Sequence, residues 1–201
     1  MDPFRRLSSI AIPFLEDNVD TDIIFPARFL LIMERKGLGR YLFHDRRFTP
    51  SGDLRADSPI DRPECAGAAI LIAGANFGCG SSREQAVWAL AGFGIRAVIA
   101  PGFGEIFYAN CFMSGMAPIV LPPDIVATLA ERAAAGAMFA IDLEAQRVTA
   151  GSDLSIPFPI DSGRREQLLR GWDEIDLILN QDSPAIERFE AGHAARQPWL
   201  F

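Results

Sequence analysis

The sequence predicts an α/β fold with a mainly parallel central sheet, and three features carry that reading. Residues 68–73 (Ala-Ala-Ile-Leu-Ile-Ala) and 97–100 (Ala-Val-Ile-Ala) are continuous apolar runs of strand length. They lack the alternation of a half-exposed strand and fit strands covered on both faces. Between them, residues 81–90 have helical character, entered through the glycine-rich turn 74–80 and closed by Gly92 and Gly94. Strand, helix and strand in this order make a right-handed crossover that sets the two strands side by side and parallel.

The remaining elements follow in order. Residues 8–14 (Ser-Ser-Ile-Ala-Ile-Pro-Phe) read as one strand closed by proline. A polar loop, residues 17–22, leads into Ile23-Ile24-Phe25-Pro26. Residues 37–66, rich in Gly, Pro, Asp and Arg, read as irregular surface structure with one short helix before Tyr41. Residues 104–113 are expected to be helical, 117–121 a strand, and 124–135 an alanine-rich helix stopped by Gly136. A hairpin is expected from 139–143 and 146–150, continued by 154–158. From Ser162 the chain is expected to be helical, with a tail ending at Phe201. The expectation is a single domain over residues 1–201, of which about 162–201 form a C-terminal helical extension.

Composition excludes several functions. The net charge is −7, and paired arginines such as Arg46-Arg47 and Arg164-Arg165 adjoin acids, so no positive face for nucleic acid is foreseen. The N-terminus has no apolar signal stretch and no segment reaches about 20 apolar residues, so a membrane role is not expected and the reading is cytoplasmic. Cys65, Cys79 and Cys111 are widely spaced with no Cys-x-x-Cys, which suits neither a disulfide framework nor a cluster site on this chain.

The turn from Gly74 to Glu84 (Gly-Ala-Asn-Phe-Gly-Cys-Gly-Ser-Ser-Arg-Glu) carries the chemistry. Its glycines permit tight turns and close approach of a ligand. Ser81 and Ser82 are expected in the first turn of the helix, where free N–H groups and the dipole favour anions, and Ser81 with Glu84 fits a capping box. Arg83 adds a permanent planar cation suited to a carboxylate. A plain N-capped helix, its arginine paired with a surface acid, satisfies the same residues equally well. A nucleophile elbow, a phosphate loop and a dinucleotide fingerprint all fail on spacing. Only His44 and His193 are available, so a serine base here has to be stabilised by local donors rather than by histidine.

Three blocks carry a resemblance: residues 18–26 (Asn-Val-Asp-Thr-Asp-Ile-Ile-Phe-Pro), 76–84 (Asn-Phe-Gly-Cys-Gly-Ser-Ser-Arg-Glu) and 99–110 (Ile-Ala-Pro-Gly-Phe-Gly-Glu-Ile-Phe-Tyr-Ala-Asn). With Asp142-Leu143-Glu144 they cover nearly the whole chain, which resembles the small subunits of 3-isopropylmalate dehydratase and the swivelling domain of aconitase. The resemblance implies a three-layer β/β/α swivelling domain with C-terminal helices. It implies no cofactor or metal on this chain and a [4Fe–4S] cluster on a large subunit, with which this chain pairs as a heterodimer around a small dicarboxylic acid. Ser81 matches the serine that takes a proton from carbon, and Ser82 and Arg83 match groups that grip a substrate carboxylate. Gly80 is part of that turn, and Asp22 matches a supporting acid whose other reading is a loop cap. Relatives that act on longer acids place an arginine near Leu31; a leucine there suits an isopropyl group, or simply packs its element.

One position departs from the pattern: Gln85 stands where many relatives carry histidine and cannot carry a proton. The alternatives left open are a sister hydro-lyase for citraconate or methylmalate, dimethylmalate or homoaconitate, a non-catalytic carboxylate-binding module, and a stand-alone serine hydrolase.

Overall fold

The computed structural model describes residues 1–32 and 34–200. Phe201, the end of the expected tail, lies outside the described residues. Eight strands form two sheets: β1 (Arg6–Ser9), β2 (Ala11–Phe14), β3 (Ile70–Ala73), β4 (Ala97–Ala100), β5 (Ala117–Val120), β6 (Phe139–Asp142), β7 (Arg147–Ala150) and β8 (Leu154–Pro157). The helices are α1 (Thr21–Ile24), α2 (His44–Arg47), α3 (Glu84–Phe93), α4 (Glu105–Met113), α5 (Pro123–Ala134), α6 (Ser162–Arg170) and α7 (Glu174–Arg196).

Strands β2-β3-β4-β5 make a parallel sheet in sequential order, and β1-β6-β7-β8 an antiparallel one. All four residues of β3 and of β4 are buried, because each strand is covered on both sides. Leu71, Ala73, Val98 and Ala100 pack with Val87 and Leu90 of α3 and with Phe25, Phe43 and Phe77. Ile70, Ile72, Ala97 and Ile99 face the other way, onto Val126 and Leu129 of α5 and onto Phe139, Ile141 and Val148 of the antiparallel sheet. The expected β/β/α layering therefore holds, with α5 sharing the layer of the antiparallel sheet. Phe77 is fully buried, and truncating such an aromatic costs about 3–5 kcal/mol.

Two expectations are corrected. Residues 8–14 are not one strand: β1 pairs with β6 and β2 with β3, and the chain changes sheets at Ile10. Pro13 sits inside β2 rather than ending it, and Pro118 sits inside β5. Both are edge strands of the parallel sheet, where a missing N–H need not break the ladder. The second correction concerns the helix after the glycine turn. It begins at Glu84, with Arg83 in extended conformation as its N-cap (φ −128°, ψ 101°) and no side-chain cap. The capping box is not formed. The Glu84 carboxylate instead accepts Trp88 Nε1–H at 3.2 Å and lies 3.8 Å from Arg35.

The stretch expected to be irregular holds a 3-10 turn at Leu38–Tyr41, which takes in Tyr41, the single turn α2 after Phe43, and a second 3-10 turn at Pro63–Cys65. Its organising group is Arg47, buried and bonded to Asp61 through Nε (2.8 Å) and Nη2 (2.7 Å). At the C-terminal end, α6 is tied to the body by Phe4 N–H to Leu168 O (2.8 Å). Among the described residues α7 buries none, and Ile175, Leu179 and Phe189 are exposed on it.

Candidate active site

The three sequence blocks converge beyond the carboxyl ends of β2, β3 and β4, where open α/β sheets bind their ligands. The second block is clamped from both sides. On one side, Asn18 N–H donates to Ala75 O (2.8 Å), Gly78 N–H to Val19 O (2.7 Å) and Thr21 N–H to Cys79 O (3.0 Å). On the other, Phe77 N–H donates to Gly102 O (3.0 Å) and Gly104 N–H to Phe77 O (2.9 Å). The glycines are required by proximity: a Cβ on Gly78 would come within 2.2 Å of the Phe107 ring, and one on Gly104 within 2.4 Å of the Gly78 carbonyl. Gly80 has φ +90°, a left-handed conformation that redirects the chain into Ser81.

Ser81 and Ser82 are exposed, and among the described residues neither hydroxyl has a hydrogen-bond partner. They precede α3 rather than forming its first turn, so the helix N-terminus does not hold them as expected. The reason is tertiary: Thr21 Oγ1 donates to Ser81 O at 3.0 Å and keeps that carbonyl out of a helical turn.

Arg83 is mostly buried and ion-paired with Asp22. Asp22 Oδ1 also accepts Ala27 N–H at 3.1 Å, so the supporting acid and the loop cap are one residue. The hydrogen bond from Arg83 holds the Asp22 carboxyl below the usual carboxylate range; slight burial opposes this, and the Arg83 charge and Ala27 N–H reinforce it. Gln85 is half-buried on the first turn of α3.

Leu31 is 91% exposed, while Phe29, Leu30 and Ile32 pack on the core. Its loop is tethered to the site at both ends, by Ala27 to Asp22 and by Arg35, which stacks on Trp88 (4.1 Å to the centroid) and faces Glu84. The histidines take no part: His44 lies between Phe29 and Phe48 and is bonded to Arg28 (3.0 Å), and His193 is on α7 beside Gln197 (3.0 Å).

Residues 1–124 match the model of the aconitase C-terminal domain and 127–162 the model described as LeuD_N. Residues 179–201 match the model of the C-terminal domain found in small subunits of 3-isopropylmalate dehydratase. The 3-isopropylmalate dehydratase small subunit of Rhodospirillum centenum is 49% identical, over 99% of this chain and 98% of its own. The chain belongs to the 3-isopropylmalate dehydratase small-subunit family. A second member, from Cereibacter sphaeroides, is 45% identical over the full length of both chains. The crystal structure of 3-isopropylmalate dehydratase LeuD from Methanocaldococcus jannaschii superposes with a TM-score of 0.67 at 27% identity, covering 91% of this chain and 99% of that one.

A small subunit implies a large one, and the three cysteines of this chain lie in different parts of the fold. Cys111 is fully buried in α4, its thiol pushed far up by burial. Cys65 is buried in the loop region against Pro59 O, and Cys79 lies in the glycine turn. Among the described residues no group of three His, Cys, Asp or Glu could hold a metal ion, and no helix is long and apolar enough to cross a membrane. Thr21 and Trp88 were not singled out in the sequence; their contacts, with the Ser81 turn and with Arg35, join positions distant along the chain.

Proposed function

We propose that this chain is the small subunit of a 3-isopropylmalate dehydratase, interconverting 2- and 3-isopropylmalate through 2-isopropylmaleate when docked on a large subunit. The observation that carries the reading is the Ser81-Ser82-Arg83 turn, presented beyond the sheet ends by three interlocked blocks in a chain whose relatives match it end to end. The [4Fe–4S] cluster is assigned to the large subunit on the strength of the resemblance.

The chain's own part is the proton and the grip. With Ser81 Oγ held as the alkoxide in the docked complex, it takes the proton from the substrate carbon and becomes the hydroxyl, while the hydroxyl on the neighbouring carbon leaves as water with a proton supplied from the large-subunit side of the site. Addition of water with the opposite regiochemistry, returning the proton from Ser81, gives the isomer. Ser82 and Arg83 hold carboxylate oxygens, and Arg83 does so with a fixed fork. Leu31 offers an apolar wall to the isopropyl group, where an unpaired carboxylate would be poorly accommodated. In the isolated chain Ser81 is an ordinary hydroxyl, because nothing donates to it and its nearest cationic neighbour in sequence is already paired. Its activation therefore waits on groups that arrive with the large subunit.

The second reading is a sister hydro-lyase, and Gln85 in place of histidine favours it. Anaerobic co-expression with the large subunit from the same genome, followed by assay of 2-isopropylmaleate formation and a panel of other 2-hydroxy diacids, separates the two. We expect turnover of isopropylmalate by the complex and none by the chain alone. Turnover of a different diacid with isopropylmalate inert overturns the first reading.

A further inference from the structure

We infer that Thr21 is a positioning residue for Ser81, acting through the backbone of the serine turn; this rests on the reading of Ser81 as the base. Thr21 is 2% exposed and opens α1, whose N-cap Asp20 accepts Ile23 N–H at 2.8 Å. Its two polar groups go to one place: its N–H donates to Cys79 O (3.0 Å) and its Oγ1 donates to Ser81 O (3.0 Å). One residue thus fixes the carbonyls on both sides of Gly80, the position whose left-handed φ sets the direction of the turn. A Cβ on Gly80 would lie 3.4 Å from Asp20 Cβ and 3.9 Å from Thr21 Oγ1, so α1 lies directly against this turn.

Among the described residues the Ser81 side chain has no bond of its own to orient it. The direction of its Cα–Cβ bond is therefore set by the peptide planes around it, and the Thr21 hydroxyl is the side-chain group that holds the second of those planes. A displacement of about 1 Å in a reacting group lowers rates by about a hundredfold, so loosening this plane reduces turnover without removing a substrate contact. Without that bond the Ser81 carbonyl, on an exposed residue, can be taken up by water.

The test compares Thr21→Val, close in volume but without the donor, with Thr21→Ser, which keeps it, both assembled with the large subunit and assayed on 3-isopropylmalate beside wild type and Ser81→Ala. We expect Thr21→Val to lower kcat about tenfold to a hundredfold with KM within about twofold, and Thr21→Ser to stay within about threefold of wild type. A Thr21→Val complex with wild-type kcat overturns the inference. So does a Thr21→Ser complex at least tenfold slow, and that outcome decides alone if the valine variant does not assemble. A wild-type complex inert on isopropylmalate counts against the proposed function itself, a result distinguishable from either of these.

Discussion

The Arg83 guanidinium is ion-paired with the Asp22 carboxylate, and the same carboxylate oxygen accepts the N–H of Ala27, the residue that opens the loop carrying Leu31. Arg83, which we propose grips a substrate carboxylate, is thus pre-positioned by an internal one, and the segment leading to Leu31 hangs from the same anchor. On that proposal a substrate carboxylate joins this pair rather than meeting a bare cation, which favours correct placement over raw attraction.

Asp22→Asn leaves Arg83 charged but unanchored. We expect kcat/KM of the complex to fall about tenfold. Stability follows the sign of the shift: with its folded pKa depressed, Asp22 contributes fully above the ordinary carboxylate value of about 4 and loses that contribution as pH falls through the lower folded value. Asp22 is half exposed, so the gap between wild type and variant in urea is expected to be under about 1 kcal/mol at pH 7 and to close in acid. A gap that widens on acidification contradicts this.

Arg47 is the stability test. Its head is held by Asp61, and its Nη1 reaches the carbonyls of Gly39 (3.5 Å), Arg40 (3.4 Å) and Leu42 (3.3 Å). Burial pushes the Asp61 carboxyl up, but the bonds from Arg47 and Ser58 outweigh it and leave the carboxyl below its usual range. Arg47→Met strands the mostly buried Asp61 carboxylate and is expected to cost about 2–4 kcal/mol in urea unfolding. Loss of under about 1 kcal/mol shows that the pair is solvated.

Leu31, almost fully exposed, is free to be changed without harm to the core. Leu31→Arg is expected to lower kcat/KM for isopropylmalate by about tenfold or more while leaving the unfolding midpoint unchanged. Unaltered kinetics in the complex removes Leu31 from the site.

Much of this was legible in the sequence, for identifiable reasons. β3 and β4 are covered on both faces, and burial of that kind leaves unbroken apolar runs that need no tertiary information to read. The sheet change at Ile10 was not legible, because β1 and β2 follow one another directly and differ only in their partners. The start of α3 was misread for a related reason. Ser-x-x-Glu is a local capping signal, but Thr21 draws the Ser81 carbonyl aside, and Arg35 and Trp88 occupy the Glu84 carboxylate. Residue type marked Ser81, Ser82 and Arg83 as a candidate carboxylate site, and only the resemblance gave each a role; the pairing of Arg83 with Asp22 could not be read at all, since it depends on the two blocks meeting in space.

The measurement closest to the centre is kcat of the assembled complex with Ser81→Ala. The Ser81 hydroxyl is exposed and makes no bond among the described residues, so the variant should fold, assemble and retain KM. Its kcat on 3-isopropylmalate should fall about a hundredfold to ten-thousandfold. A complex that turns over at the wild-type rate without that oxygen contradicts the assignment of Ser81 as the base.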